Sequence, residues 1–341
     1  MRKDVVVIGA GLAGLSCARR LADAGASVTV LERAKGVGGR CATRHVDGMP
    51  IDFGVVFFHG SDPAFVKAVE TVHGASVLEG WPLRRHDTGR PCQPDAFAAT
   101  EKRLAYVEGV SVLPKSLARG LDVELQAEVM TLAVKDGAVH IHTSQDKHYE
   151  AGTVVLALAP EQTRRLLESL PHDEPEVTAA REMLGLFASV RCVTLLAGYQ
   201  RWSPEPPWDV SYPSESPVLA LISNESTKRP ERKVNAIVYQ ASPRWSRAHF
   251  DEPVAELEHA IIAEASRLLG PWAGEPAWTQ VHQWRYARLD RGNELASPLL
   301  LSLAGGTKLG IAGEIFAPGG GLEAAFASGT AHARRLLEEP R

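Results

Sequence analysis

Val5 to Ile8 is an unbroken apolar, β-branched run, the pattern of a central parallel strand buried on both faces. After the glycine turn Gly9 to Gly14, residues Leu15, Ala18, Leu21 and Ala22 recur at helical spacing as far as Gly25, a natural C-terminal stop. Ser27 to Leu31 is a second strand that ends at Glu32. The chain therefore opens with a predicted βαβ unit. Residues Gly36 to Gly60 are glycine-rich and irregular, Pro63 to Val72 predicts a helix, and 79–97 predicts a loop or short sheet. Ser111 to Arg119 reads as a short helix. Asp122 to Leu125, Val129 to Val134 and Val139 to Thr143 read as strands, with Asp136-Gly137 as a hairpin turn. Thr153 to Leu158 is another buried-type strand, stopped by Pro160 before a helix over 161–169.

The pattern changes from Ser189 onward. Val190 to Leu196, Val218 to Ile222, Val234 to Tyr239 and Thr279 to Tyr286 are strand candidates in succession. They are separated by a proline-rich loop, Pro204 to Pro217, and by one strong helix, Pro253 to Leu269. Strands following strands predict an antiparallel sheet, hence a second domain of α+β type. Near the end, Leu309 to Ala312 is a short strand, followed by a second glycine cluster and a helix from Leu322 to Leu337.

Composition narrows the function without choosing it. The 341 residues are 45% apolar and 23% charged, with a formal net charge of −4, so no nucleic-acid or anionic-membrane partner is expected. The short basic clusters Arg84-Arg85 and Arg229 to Lys233 read as solvated surface. Cys17, Cys41, Cys92 and Cys192 show no Cys/His ligand spacing, so neither disulfides nor a metal site are expected. His140 and His142 alternate on a strand and read as one solvated face. The charged start and apolar run at the N-terminus imitate a signal peptide, but Gly9, Gly11 and Gly14 break the run and Arg19-Arg20 ends it. A cytoplasmic protein without targeting signal or membrane span is expected.

Gly9-Ala10-Gly11-Leu12-Ala13-Gly14 fits G-x-G-x-x-G, which alone is a weak signal. Here it follows a predicted strand and opens a predicted helix, and Glu32 closes the next strand, the full context of a dinucleotide site. Gly9 permits the turn, Gly11 lets backbone approach a pyrophosphate, and Gly14 lets helix and strand pack closely. The helix N-terminus at Leu12 and Ala13 offers unpaired N–H groups and about half a positive charge to phosphate. Glu32 suits a ribose hydroxyl. A second turn, Gly36-Val37-Gly38-Gly39-Arg40, lies just downstream of Glu32-Arg33; it favours the longer FAD over NAD, with Arg40 as a bidentate phosphate partner. Gly313-Glu314 ends a strand with a carboxylate for a sugar hydroxyl. Gly319-Gly320-Gly321 then opens the last helix at Leu322, a second anion site.

These residues carry a resemblance. The motif, Glu32 and the run RAKGVGGRCATR (Arg33 to Arg44) resemble the FAD-binding start of the flavin amine-oxidase superfamily, and IDFGVVFFHG (Ile51 to Gly60) is similar to its Asp-x-Gly segment. ASPRWSRAHF (Ala241 to Phe250), VHQWRYA (Val281 to Ala287) and GSDPAF resemble bacterial renalase-like proteins. The resemblance implies an α/β fold: a Rossmann-type FAD-binding domain beside a second, α+β substrate domain, in an amine-oxidase or hydroxybenzoate-hydroxylase-like architecture. On that pattern the FAD domain takes residues 1–60, 103–168 and 297–341, and the substrate domain 61–102 and 169–296. It implies non-covalent FAD touched by Gly9, Gly11, Gly14, Glu32, Gly39, Arg40 and Glu314, with Val129 meeting the adenine. It further implies oxidation of an off-isomer dihydronicotinamide dinucleotide, with electrons passing to molecular oxygen. Two departures stand out. Glu314 replaces the usual Asp, and Val55-Val56 replaces polar residues after Asp52, giving a more apolar wall.

On the substrate side the candidates are His59, Trp284, Arg285 and Tyr286. Strand alternation puts Trp284 and Tyr286 on one face and Arg285 on the other. Trp284 suits a planar ring and Arg285 a carboxamide or phosphate, while core or ion-pair roles stay open for these residues. Trp245 reads as core. Oxidation of an amine or apolar substrate, and a non-catalytic flavin sensor, also stay open.

Overall fold

The computed structural model describes residues 3–88, 94–171, 174–200, 206–231, 235–289, 292 and 294–338. The chain forms two compact units. The first comprises 1–39, 113–189 and 288–341; the second comprises 40–112 and 190–287.

The first unit is built on an eight-stranded sheet: β1 (Lys3–Ile8), β2 (Val28–Glu32), β3 (Asp122–Leu125), β4 (Val129–Lys135), β5 (Ala138–Thr143), β6 (His148–Leu156), β7 (Leu299–Ser302) and β8 (Lys308–Ile311). Strands β3, β2, β1, β6 and β8 lie side by side and parallel. β7 adds antiparallel to β8. Val5 to Ile8 are buried throughout, as a parallel strand covered on both faces requires. β6 changes partner along its length: its first half pairs antiparallel with β5, its second half parallel with β8. The opening strand–helix–strand unit stands as the sequence predicts, with α1 (Leu12–Asp23) joining β1 to β2.

Besides the short helix Val112–Ala118, which the sequence predicts, the described helices of this unit include α2 (Pro160–Leu167), α3 (Pro175–Leu184) and α4 (Gly321–Glu338). Proline begins both α2 and α3 at a position where its missing N–H costs nothing. No helical pattern predicts α3, because its apolar residues Val177, Ala180 and Leu184 are sparse among charges. They are nonetheless buried in the core beside β6 and β8. α4 crosses α1 closely, where a Cβ on Gly329 would meet the Ala13 carbonyl oxygen at 2.0 Å.

The second unit holds a six-stranded sheet in the order Trp278–Leu289, Ser189–Tyr199, Asn235–Ala241, Leu219–Asn224, Val210–Tyr212, Arg85–Thr88. Ser189–Tyr199, Asn235–Ala241, Leu219–Asn224 and Val210–Tyr212 pair antiparallel in turn, but the outer pair, Val210–Tyr212 with Arg85–Thr88, is parallel. Helices Pro243–His249 and Val254–Leu269 lie between these strands in sequence, and Ile261, Leu257 and Phe250 pack with Leu195, Ile237 and Tyr239. Trp245 packs at the margin of this core, as expected.

Three expectations are corrected. Residues 43–60 are not irregular: Thr43–Val46 and Met49–Asp52 pair as a hairpin, and Phe58–Gly60 joins a three-stranded sheet. The hairpin turns at Asp47-Gly48, both with positive φ (51° and 79°), an Asp-Gly turn hidden among the glycines around it. Unit boundaries also move. Segments 40–60 and 103–112 belong to the second unit, since Met49, Ile51 and Phe53 pack on Leu196, Ala236 and Val238; segments 169–189 and 288–296 belong to the first. Finally, Arg229 is not solvated surface but buried; Lys233, Val234 and Cys92 lie outside the described residues. Cys17 and Cys41 are buried thiols, each pushed up to about 12 by burial. No helix among the described residues is long and apolar enough to cross a membrane.

His332 on α4 is fully buried over Gly310 of β8, and neither ring nitrogen has a hydrogen-bond partner among the described residues. Burial, and secondarily Arg335, lower its pKa from 6.5 to about 4. Between these values the unfolded chain binds a proton that the folded chain refuses, so stability falls as pH drops through that window. Urea unfolding at several pH values is expected to show this loss in the natural protein, and His332→Leu to flatten it.

Candidate functional site

Because β3, β2, β1, β6 and β8 are parallel, their carboxyl ends form one edge of the first unit, where open α/β sheets bind ligands. Both glycine clusters of the sequence reach it. A Cβ on Gly9 (φ +104°) would lie 2.5 Å from the Ala157 carbonyl oxygen after β6, and a Cβ on Gly14 would lie 1.9 Å from the Gly9 oxygen. Only glycine permits this packing. Gly11 differs. It caps α1 in extended backbone without a side-chain hydrogen bond, and a Cβ there meets nothing within 4 Å. Space therefore lies in front of the amides at Leu12 and Ala13, which is what an approaching pyrophosphate needs.

The second glycine turn folds back onto the first. The Gly38 N–H donates to the Ala10 carbonyl at 2.8 Å, and a Cβ on Gly39 would lie 3.5 Å from the Gly11 Cα. Glu32 is fixed at the end of β2: its carboxylate accepts from the Ala10 N–H and the Ala34 N–H, each at 2.8 Å. Both oxygens keep a further lone pair for a hydroxyl donor. Arg33 is exposed, while Val129 is half-buried at the start of β4. Gly313 follows β8 with its N–H donating to Ser328 Oγ of α4 at 3.0 Å, and Glu314 beside it is buried. Gly319, Gly320 and Gly321 all have positive φ (84°, 60° and 74°), a run of left-handed backbone open only to glycine; Leu322 then continues α4. These residues fit a dinucleotide. The bare backbone leaves amides open to phosphate, and the Glu32 carboxylate keeps lone pairs for a hydroxyl donor.

Arg40 begins the second unit and donates to the Ala287 carbonyl at 3.2 Å. The substrate-side candidates also lie in that unit, but not together. Trp284 stacks on Phe53 (centroids 5.4 Å, 29°) and meets His282 at 4.2 Å, and its Nε1 donates to the Phe53 carbonyl. Arg44 lies 4.6 Å over the Phe53 ring. Desolvation, then the Arg44 charge, lowers the His282 pKa, so that imidazole is neutral near pH 7. Tyr286 shares the alternating face of Trp284. Arg285 turns away, exposed, over the Phe250 ring and 3.9 Å from Asp251. His59 sits on the small three-stranded sheet, its Nδ1 2.9 Å from Glu101.

Sequence reasoning missed the polar centre of this unit. Asp52, Glu225, Lys228 and Arg229 are all buried. Lys228 Nζ lies 3.0 Å from Asp52 and 2.8 Å from Glu225, and 4.3 Å over the Trp81 ring. Arg229 donates to the Pro50 and Tyr106 carbonyls and lies 3.4 Å from Asp52. Asp52 also accepts from Thr43 Oγ1 and the Val110 N–H. These residues are far apart in sequence, and no local signal joins Asp52 to the 225–229 segment.

The fold and the carboxyl-edge site define a dinucleotide-binding protein of the two-unit flavoprotein class. Comparison with known proteins agrees. Residues 7–70 match an NAD(P)-binding Rossmann-like domain, and residues 84–337 match the family of flavin containing amine oxidoreductases. The chain belongs to that family, and flavin is its cofactor. Among curated relatives, a phytoene desaturase of Fusarium fujikuroi is 52% identical over 54 residues, 16% of this chain and 10% of that one. Polyamine oxidase 4 of Oryza sativa subsp. japonica is 48% identical over 57 residues, 17% of this chain and 12% of that one. Those matches thus span only about a tenth of each relative's length. Among solved structures, putrescine oxidase bound to putrescine superposes at a TM-score of 0.74 with 18% identity, covering 99% of this chain and 100% of that one. Cyclohexylamine oxidase from Brevibacterium oxydans IH-35A superposes at 0.75 with 15% identity and 99% coverage of both. At such identities the likeness is one of fold.

Two outcomes test this geometry. Glu32→Lys removes the acceptor for two backbone amides and the carboxylate lone pairs that face outward beside the glycine turn. Bonds to a charged group are worth about 1.5–3 kcal/mol each, so flavin retention, read from visible absorbance after purification, is expected to weaken at least about tenfold. Lys228→Met leaves Asp52 and Glu225 undercompensated in the core, and urea unfolding is expected to show a loss of about 3–5 kcal/mol.

Proposed function

We propose that this chain is an FAD-dependent oxidoreductase that removes hydride from a small, planar donor, a dihydronicotinamide dinucleotide of off-isomer type being the substrate class. Gly9, Gly11, Leu12, Ala13 and Gly14 hold the pyrophosphate, aided by Gly38, Gly39 and Arg40. Glu32 and Arg33 serve the adenosine side with Val129, and Gly313, Glu314, Gly321 and Leu322 serve the flavin side, without a covalent link. Bound FAD supplies a two-electron acceptor whose electrons pass on to molecular oxygen, giving hydrogen peroxide.

The observation that carries the substrate reading is the aromatic cluster of Trp284, Phe53 and His282. The Trp284 and Phe53 rings lie near-parallel with His282 edge-on to both, the indole N–H is already spent on the Phe53 carbonyl, and burial disfavours the charged form of the histidine. Such a surface orients a ring by stacking but offers little acid–base help. A dihydropyridine needs none, because its own nitrogen lone pair drives hydride release, so catalysis reduces to orientation. Tyr286 shares this face, while His59 and Arg285 shape the margins of the substrate side.

A second reading is oxidation of an amine or desaturation of an apolar substrate. It is supported by the polyamine oxidase and phytoene desaturase relatives and by the apolar pair Val55-Val56 after Asp52. Anaerobic mixing of the flavin-loaded protein with isomers of dihydronicotinamide dinucleotide separates the two. Rapid bleaching of flavin absorbance is expected, slowed at least about tenfold in Trp284→Ala if stacking sets the reacting geometry. Bleaching by an amine, with none by any dihydronicotinamide, establishes the second reading instead.

A further inference from the structure

The hairpin of β5 and β6, in the first unit, carries a cluster that the cofactor site does not use. His142 and His148 stand directly opposite one another in the register, their ring centroids 4.5 Å apart. Their Nδ1 atoms face each other at 3.4 Å. Asp146, in the turn between the strands with φ +60°, places one carboxylate oxygen 3.7 Å from His142 Nε2 and 3.8 Å from His148 Nε2. One donor atom from each of the three residues falls within 4.8 Å of the others.

We infer that His142, Asp146 and His148 form a binding site for a divalent transition-metal ion of the zinc class. Zinc takes nitrogen and oxygen donors at about 2.0–2.2 Å, so two donors on one tetrahedral ion stand about 3.3–3.5 Å apart. The imidazole pair already meets that spacing. Two Nδ1 atoms in direct contact can share only one proton, whereas an ion between them satisfies both lone pairs. The Asp146 side chain is 90% exposed, so its carboxylate, which lies nearest the two Nε2 atoms, is unhindered in swinging toward an ion held between the Nδ1 atoms. Two imidazoles with one carboxylate favour zinc-like ions over magnesium or calcium, which prefer all-oxygen sets. Three protein ligands leave a fourth position to water.

The neighbouring pair marks the limit of the site. His140 and Glu150 are also opposed across the hairpin, and His140 Nδ1 lies 3.7 Å from Glu150, which keeps this imidazole out of the ligand set. The position also separates the ion from the cofactor. The carboxyl end of β6 lies at the dinucleotide edge and His148 begins the same strand, eight residues earlier. At about 3.3 Å per residue this is about 26 Å away. The ion therefore clips the exposed end of the hairpin and takes no part in hydride transfer.

Calorimetric titration of tag-free, flavin-loaded, chelator-treated protein with zinc chloride tests the assignment. A single-site isotherm is expected in the natural protein and in His140→Ala, and its loss in His142→Ala and in His148→Ala. All three variants are expected to keep the flavin absorbance of the natural protein, which reports an intact fold. Zinc chloride is also expected to raise the melting temperature of the natural protein and of His140→Ala, but not of His148→Ala. No zinc isotherm in the natural protein, an isotherm that survives replacement of both His142 and His148, or displacement of zinc by an equal concentration of magnesium overturns the inference.

Discussion

Contact of backbone with backbone at Gly9, Gly14 and Gly329 sets the geometry of the first unit. Each of these residues would carry a Cβ within 2.5 Å of a carbonyl oxygen, of Ala157, Gly9 and Ala13 respectively. Any side chain would push α1 away from the turn that follows β1, from the end of β6, or from α4. The close approach holds the start of α1 at the carboxyl edge of the sheet, where its first amides face open space at Gly11. Bare backbone brings the elements together, and the amides left over at the helix start stand open to an anion.

The second unit solves a different problem. Its centre is polar, with two acids and two bases buried together around Asp52. Removing four charges from water is costly, and attraction offsets that cost only when each group is also hydrogen-bonded. Here carbonyls of Pro50, Tyr106 and Val56, the Val110 N–H and Thr43 Oγ1 complete the set. The arrangement ties the Thr43–Asp52 hairpin to the turn after Leu219–Asn224, whereas the apolar residues Met49, Ile51 and Phe53 pack on Leu196, Ala236 and Val238. The Phe53 ring that supports Trp284 follows directly from the strand fixed by Asp52. The aromatic cluster of Phe53 and Trp284 therefore rests on a buried ionic support.

Cofactor and substrate sides differ in what their chemistry demands. The dinucleotide needs many fixed partners of modest strength, and these come from strand ends and helix starts. The glycine turns and Glu32 form a tight, hydrogen-bonded constellation, whereas Trp284, Tyr286, His59 and Arg285 are spread over two sheets and two faces.

The sequence by itself determined the βαβ start, the glycine turns, the carboxylate at Glu32 and the succession of strands after Ser189. In each case the cause is local: a run of β-branched residues, a glycine forced by a turn, or a carboxylate at a fixed step from both. Cofactor class was legible for the same reason. Tertiary structure decided whatever depends on partners distant along the chain. Arg229 looks like surface in a basic stretch and becomes core only beside Asp52. The 43–52 hairpin joins the second unit because its apolar side meets Leu196 and Val238. His142 reads as one solvated residue of an alternating pair until strand register sets His148 opposite it. Local pattern records which face a residue shows, but the identity of the neighbour it meets is fixed only when distant segments pack.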